Sequence, residues 1–68
     1  MFKIGDKVKV VRNLREGVWV WRDEEMPIGT LGVVDGVDEN EEFERVYVTS
    51  NSGEDWWFHE DELEEIKE

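Results

Sequence analysis

The sequence predicts an all-β fold, a single small five-stranded barrel, and three observations carry that expectation. Apolar residues never recur at the helical period of 3.6 over a useful length. They alternate with polar residues in short runs instead, and glycine, asparagine, serine and acidic clusters separate those runs. The 68 residues are enough for one domain, residues 1–68, and no more. A chain this short buries roughly 60% of the surface that its unfolded form exposes, so its core is small.

The first strand is expected from about Lys7 to Arg12, with Val8 and Val10 on one face and Lys7, Lys9 and Val11 on the other. Phe2 and Ile4, just before it, are expected to cover the open end of the barrel. A long first loop follows, from about Asn13 to Pro27, and its charged ends mark it as solvated. Its middle, Val18-Trp19-Val20-Trp21, alternates like a strand and reads as a small hairpin arm, ended by Pro27, which cannot donate to a ladder. The second strand is expected from about Thr30 to Val37. Gly32 and Gly36 inside it point to bulges or to a sharp bend of the kind small barrels need. Asp38 to Glu42 forms the next turn, Phe43 to Ser50 the third strand and Glu54 to Phe58 the fourth.

The register between strands three and four can be argued. A two-residue turn, Ser52-Gly53, would set Val48 against Trp57 and Tyr47 against Phe58. A three-residue loop, Asn51-Ser52-Gly53, sets Val48 against Trp56, Val46 against Phe58 and Tyr47 against Trp57. The three-residue loop is preferred. Gly53 suits the left-handed position such loops require, and this register sends Val46, Val48, Trp56 and Phe58 inward together while leaving Tyr47 and Trp57 as an outer cross-strand pair. His59 to Glu62 then reads as one 3₁₀ turn, and Leu63 to Ile66 as a last strand that closes the barrel.

The net charge is -11, unevenly spread. Residues 1–22 carry Lys3, Lys7, Lys9, Arg12, Arg15 and Arg22 against Asp6 and Glu16, a balance of +4. Residues 23–68 carry seventeen acids against Arg45 and Lys67, a balance of -15. Such asymmetry suits a charged partner, here a basic one, although both signs also simply keep a small sheet soluble. Nucleic-acid binding by general electrostatics is not expected, because that affinity comes from neutralising phosphates. No apolar h-region is visible at the start, no run approaches the ~18 residues of a membrane span, and there is no cysteine. The expectation is a soluble cytoplasmic protein, monomeric or weakly dimeric, with no membrane contact.

Gly5-Asp6-Lys7-Val8-Lys9-Val10, Gly29-Thr30-Leu31-Gly32-Val33-Val34, Val46-Tyr47-Val48 and Trp57-Phe58 before Glu60-Asp61-Glu62-Leu63 together resemble the SH3-like small barrels. The Gly-Asp-x-Val opening and the Gly-x-x-Gly-x-Val second strand are similar to KOW-type, Mind-bomb/Herc-type and PsaE-type barrels. The PsaE type is also similar in its aromatic-bearing first long loop and in its ending. The resemblance covers nearly the whole chain and implies fold more than function, since small barrels host many unrelated roles. The acidity departs from the nucleic-acid-binding KOW pattern.

No constellation points to catalysis, a metal or a cofactor. His59 is the only histidine, and the spacing of Ser50, Ser52 and the acids suggests no triad around it. Zinc would need further histidines or thiolates. Asp35 to Glu42 is rich in oxygen ligands, but counting from Asp38 the sixth position is Phe43 where an EF-hand loop needs glycine, so a solvated turn is the better reading. Gly29 to Gly36 lacks the Gly-Lys-Ser/Thr of a phosphate loop. The protein is not expected to be an enzyme.

The candidate binding set is Arg15, Trp19, Trp21, Arg22 and Met26 of the long loop, extended by Tyr47 and Trp57. Partner binding between the long first loop and the outer faces of adjoining strands is what the resemblance implies, and Trp and Arg are enriched at interface hot spots. The opposing reading makes the loop tryptophans a lid over the barrel. The leading function is a small non-enzymatic protein-binding module. The alternatives are an acidic inhibitor that mimics nucleic acid, which would need carboxylates in a stripe, and an accessory subunit of a larger complex.

Overall fold

Lys7-Val8-Lys9-Val10 forms the first strand, β1, because its alternation gives the pleat one buried face, Val8 and Val10, and one solvated face, Lys7 and Lys9. The computed structural model describes residues 2–14 and 20–67. After β1 come α1 (Val20–Glu25), β2 (Leu31–Val37), β3 (Val46–Ser50), β4 (Asp55–Phe58), a 3₁₀ turn (Glu60–Glu62) and β5 (Leu63–Glu65). All pairings are antiparallel, and the strand order is β4-β3-β2-β1-β5. The ladder does not close on itself: β4 and β5 are its two ends, joined in sequence by the 3₁₀ turn.

Core and register follow the alternation. Val8, Val10, Met26, Val34, Val46, Val48, Phe58 and Leu63 are buried together, with Phe2, Val37 and Trp56 packed against them. Removing such a side chain from water is worth roughly 1.5–3 kcal/mol. Between β3 and β4 the partners are Val46–Phe58, Tyr47–Trp57 and Val48–Trp56, the register of the three-residue loop. Gly53 closes that loop at φ 97°, and its N–H donates to the Ser50 carbonyl (3.0 Å). In β2 the register shifts between Val34 and Gly36, a bulge at the second of the two glycines. Gly32 serves close approach instead: a Cβ there would lie 2.5 Å from the Thr49 carbonyl oxygen and 2.9 Å from Val48 Cγ1.

Four expectations are corrected. β1 stops at Val10, because the N–H groups of Val11 and Arg12 turn to the Glu62 carbonyl (2.9 and 3.3 Å). β3 begins at Val46, and Phe43 packs instead on the His59 ring with centroids 4.5 Å apart. Ile4 is 70% exposed and covers nothing, whereas Phe2 does pack on the core. The last correction is the arm: Val20 and Trp21, read as part of a strand, open α1. The i, i+4 spacing that decides it is Arg22 with Met26, both buried on the core side, while Trp21 is exposed. The Met26 N–H closes the turn on the Arg22 carbonyl (2.7 Å) just before Pro27. Arg15, Val18 and Trp19 lie outside the described residues.

Candidate functional site

α1 is fastened to the sheet by a buried ion pair. Arg22 is 2% exposed and Glu62 0%. Arg22 Nη2 donates to Glu62 Oε2 at 2.8 Å and Nη1 to Oε1 at 3.4 Å, the two-pronged arrangement a guanidinium makes with a carboxylate. The same guanidinium donates to Asn13 Oδ1 (3.2 Å) and to the Trp57 carbonyl (3.3 Å), lies 3.7 Å from Glu44 and stacks over Phe58 at 4.7 Å. Glu62 also accepts the backbone N–H groups of Leu14 (3.1 Å) and His59 (2.8 Å). His59 caps the 3₁₀ turn in return, its Nδ1 accepting from the Asp61 N–H (3.0 Å). A buried charge costs a great deal unless paired and hydrogen-bonded. This network meets that cost by drawing donors and acceptors from the first loop, α1, β4 and the 3₁₀ turn.

The bond to Trp57 also occupies a sheet edge. Ser50 N–H donates to the Glu54 carbonyl (2.6 Å), so residues 50 and 54 form a hydrogen-bonded pair. Alternation then turns the backbone groups of Trp57 away from β3, toward open edge. Arg22 takes the outward carbonyl, and α1 thereby shields part of β4.

Among the described residues two tryptophans are exposed, and a tyrosine packs beside one of them. Trp21 is 70% exposed on α1, and Trp57 is 40% exposed on the outer face of β4. Tyr47 packs beside Trp57, ring centroids 4.9 Å apart and planes tilted by 48°. A hydrogen bond to the Asp55 carboxylate raises the Tyr47 hydroxyl above its usual pKa. Trp21 and Glu25 are four residues apart on α1 and so share a helix face. Glu25 Oε2 accepts the Trp56 indole N–H at 3.1 Å. Repulsion from Glu25, together with a hydrogen bond shared with it, raises the pKa of Glu54.

Beside β4 lies a cleft of ≈ 390 Å³ lined by Asp38, Glu41, Glu44, Trp56 and Trp57. Its acidic members come from the β2–β3 turn. That turn is ordered by the Asp38 N–H to the Arg45 carbonyl (2.8 Å), the Glu41 N–H to the Asp38 carbonyl (3.3 Å) and the Asn40 N–H to Asp38 Oδ1 (3.0 Å). Elsewhere the charges mix: Lys9 of β1 stands opposite Glu64 of β5. Among the described residues no group of three or more His, Cys, Asp or Glu side chains is placed to hold a metal ion. No helix among them is long and apolar enough to cross a membrane.

The expected binding set is therefore divided. Trp21, Tyr47 and Trp57 lie at the surface or near it. Arg22 and Met26 are buried, since both face the core from α1, and they line a cleft of ≈ 300 Å³ with Asn13, Asp23 and Phe58. Arg15 and Trp19 fall outside the described residues. Sequence reasoning missed Glu62 and Asn13 as partners of Arg22, and it missed the acidic side of the Trp56–Trp57 cleft. A signal existed for Glu62, which stands three residues after His59 as the third residue of a capping box does. Comparison of the chain with protein-family models, curated proteins and solved structures yields no match.

Proposed function

We propose that this chain is an SH3-like barrel serving as a non-enzymatic protein-binding module, with its contact surface at Trp21 and the Tyr47–Trp57 pair. The observation that carries the reading is Trp21, 70% exposed on a helix that a buried ion pair holds in place. A large indole left in water on an anchored element supplies contact area at little entropic cost when a partner covers it. The exposed Trp57 lies on the strand to which α1 is fastened, so both aromatics belong to one mechanical unit. The barrel reading is supported by the element order, a four-strand meander, β1 to β4, followed by a 3₁₀ turn that brings β5 back to pair with β1.

The test is affinity capture from the native host with wild type, Trp21→Ala and Trp57→Ala, each first shown to be folded by circular dichroism. The expected result is a specific protein retained by wild type and lost with Trp21→Ala. Retention that is indifferent to both substitutions would refute the assigned surface.

A further inference from the structure

We propose that the cleft between the β2–β3 turn and β4 receives the guanidinium of an arginine carried on a basic protein segment. This rests on the reading of the chain as a protein-binding module and adds the chemistry of its partner. The cleft is lined by Trp56, Trp57, Asp38, Glu41 and Glu44, and none of these five residues is a cation. A planar guanidinium suits both kinds of wall, stacking on an indole face and donating in parallel to a carboxylate. An apolar occupant would strip water from the carboxylates and give them no partner. A phosphate would be repelled by them, as by the net charge of -11.

The walls are set before anything binds, and this distinguishes the cleft from a merely acidic loop. Trp56 packs on the core and is held at its indole nitrogen by Glu25. Trp57 is braced by Tyr47. Asp38 is fixed by its own turn, and Glu44 lies 3.7 Å from Arg22, so part of its charge is answered from within the protein. Glu41 is exposed and stands ready to meet an incoming cation. A binder whose aromatic and acidic groups are already positioned loses less freedom on association.

The experiment is a ¹H–¹⁵N NMR titration of the intact protein at low salt with three blocked pentapeptides, alike except for a central arginine, lysine or citrulline. The arginine peptide should shift the indole N–H signals of Trp56 and Trp57 and the Glu41 amide saturably. The lysine peptide should bind more weakly, and the citrulline peptide, isosteric but uncharged, should bind weakest. Trp57→Ala and Glu41→Gln should each weaken the arginine peptide by about two- to fivefold, the scale of one exposed cation–π contact or surface ion pair. Glu41→Gln keeps the test alive if Trp57→Ala does not fold. Equal shifts from the citrulline peptide would overturn the proposal, as would no shift at millimolar peptide. Shifts confined to Trp21 would overturn the cleft alone. Capture of a partner that depends on Trp21 and ignores Glu41 would do the same, leaving the protein-binding reading standing.

Discussion

Removing the Glu62 carboxylate should come close to unfolding this protein. Glu62 is fully buried and accepts four hydrogen bonds, two from Arg22 and two from the backbone N–H groups of Leu14 and His59. In Glu62→Ala the guanidinium stays interior with the Trp57 carbonyl, Asn13 and a more distant Glu44 as its remaining contacts. Breaking a buried pair from one side costs about 3–5 kcal/mol. A 68-residue domain has roughly 3–10 kcal/mol in total, so the loss is comparable with the whole stability. Urea unfolding followed by tryptophan fluorescence and far-UV circular dichroism measures it. With a slope of about 1 kcal/mol per molar for so small a protein, the midpoint should fall by about 3 M or vanish. Arg22→Met should cost a similar amount, because it strands the carboxylate. The double variant Arg22→Met/Glu62→Leu should be more stable than either single variant, since an apolar pair carries no uncompensated charge. Single-variant losses under ~1 kcal/mol, or losses that simply add in the double variant, would refute the assignment of this pair as the fastening of α1.

Gly32→Ala should destabilise by roughly 1–3 kcal/mol, read from the same urea midpoint, because its methyl would meet the Thr49 carbonyl at 2.5 Å and backbone would have to move. Gly53→Ala should cost about 1–2 kcal/mol for holding an L-residue at positive φ, with Gly53→Asn recovering part of the loss in the same denaturation series. Glu54 should make the protein less stable as pH rises. Its pKa in the folded state lies above the ordinary 4.5, so between those two values the folded chain binds more protons than the unfolded one, and stability declines across that window. Glu54→Gln should therefore match wild type near pH 4 and exceed it at neutral pH, as thermal melts at the two pH values will show.

The strands were legible because each depends on local alternation. The β3–β4 register was legible because one glycine chose the loop length and the choice sent Val46, Val48, Trp56 and Phe58 to one face. α1 was not legible, for a physical reason. Six residues are too few for propensity to decide a helix, and Val18-Trp19-Val20-Trp21, which runs into its first two residues, reads as a strand. What makes the segment helical is tertiary: Arg22 and Met26 share its inner face, and the partner of Arg22 lies far along the chain. The candidate site divided in the same way. Trp57 and Tyr47 were placed correctly by strand geometry, whereas Arg22, which composition suggests as a hot spot, proved to be interior. The acidic side of the cleft was seen only as a solvated turn, because nothing local relates Asp38 or Glu41 to β4.

The ion pair that holds α1 joins residues 40 positions apart in a chain of 68. Until Glu62 has reached its place, Arg22 is better off in water, and the helix has little to hold it. By loop-closure entropy α1 is then expected to be among the last parts to form, after the β2–β3–β4 hairpins have brought the 3₁₀ turn home. Trp21 travels with it, so the exposed indole takes up its final position only when the rest of the sheet is complete. A partner that recognises Trp21 would thereby distinguish a finished molecule from one still folding.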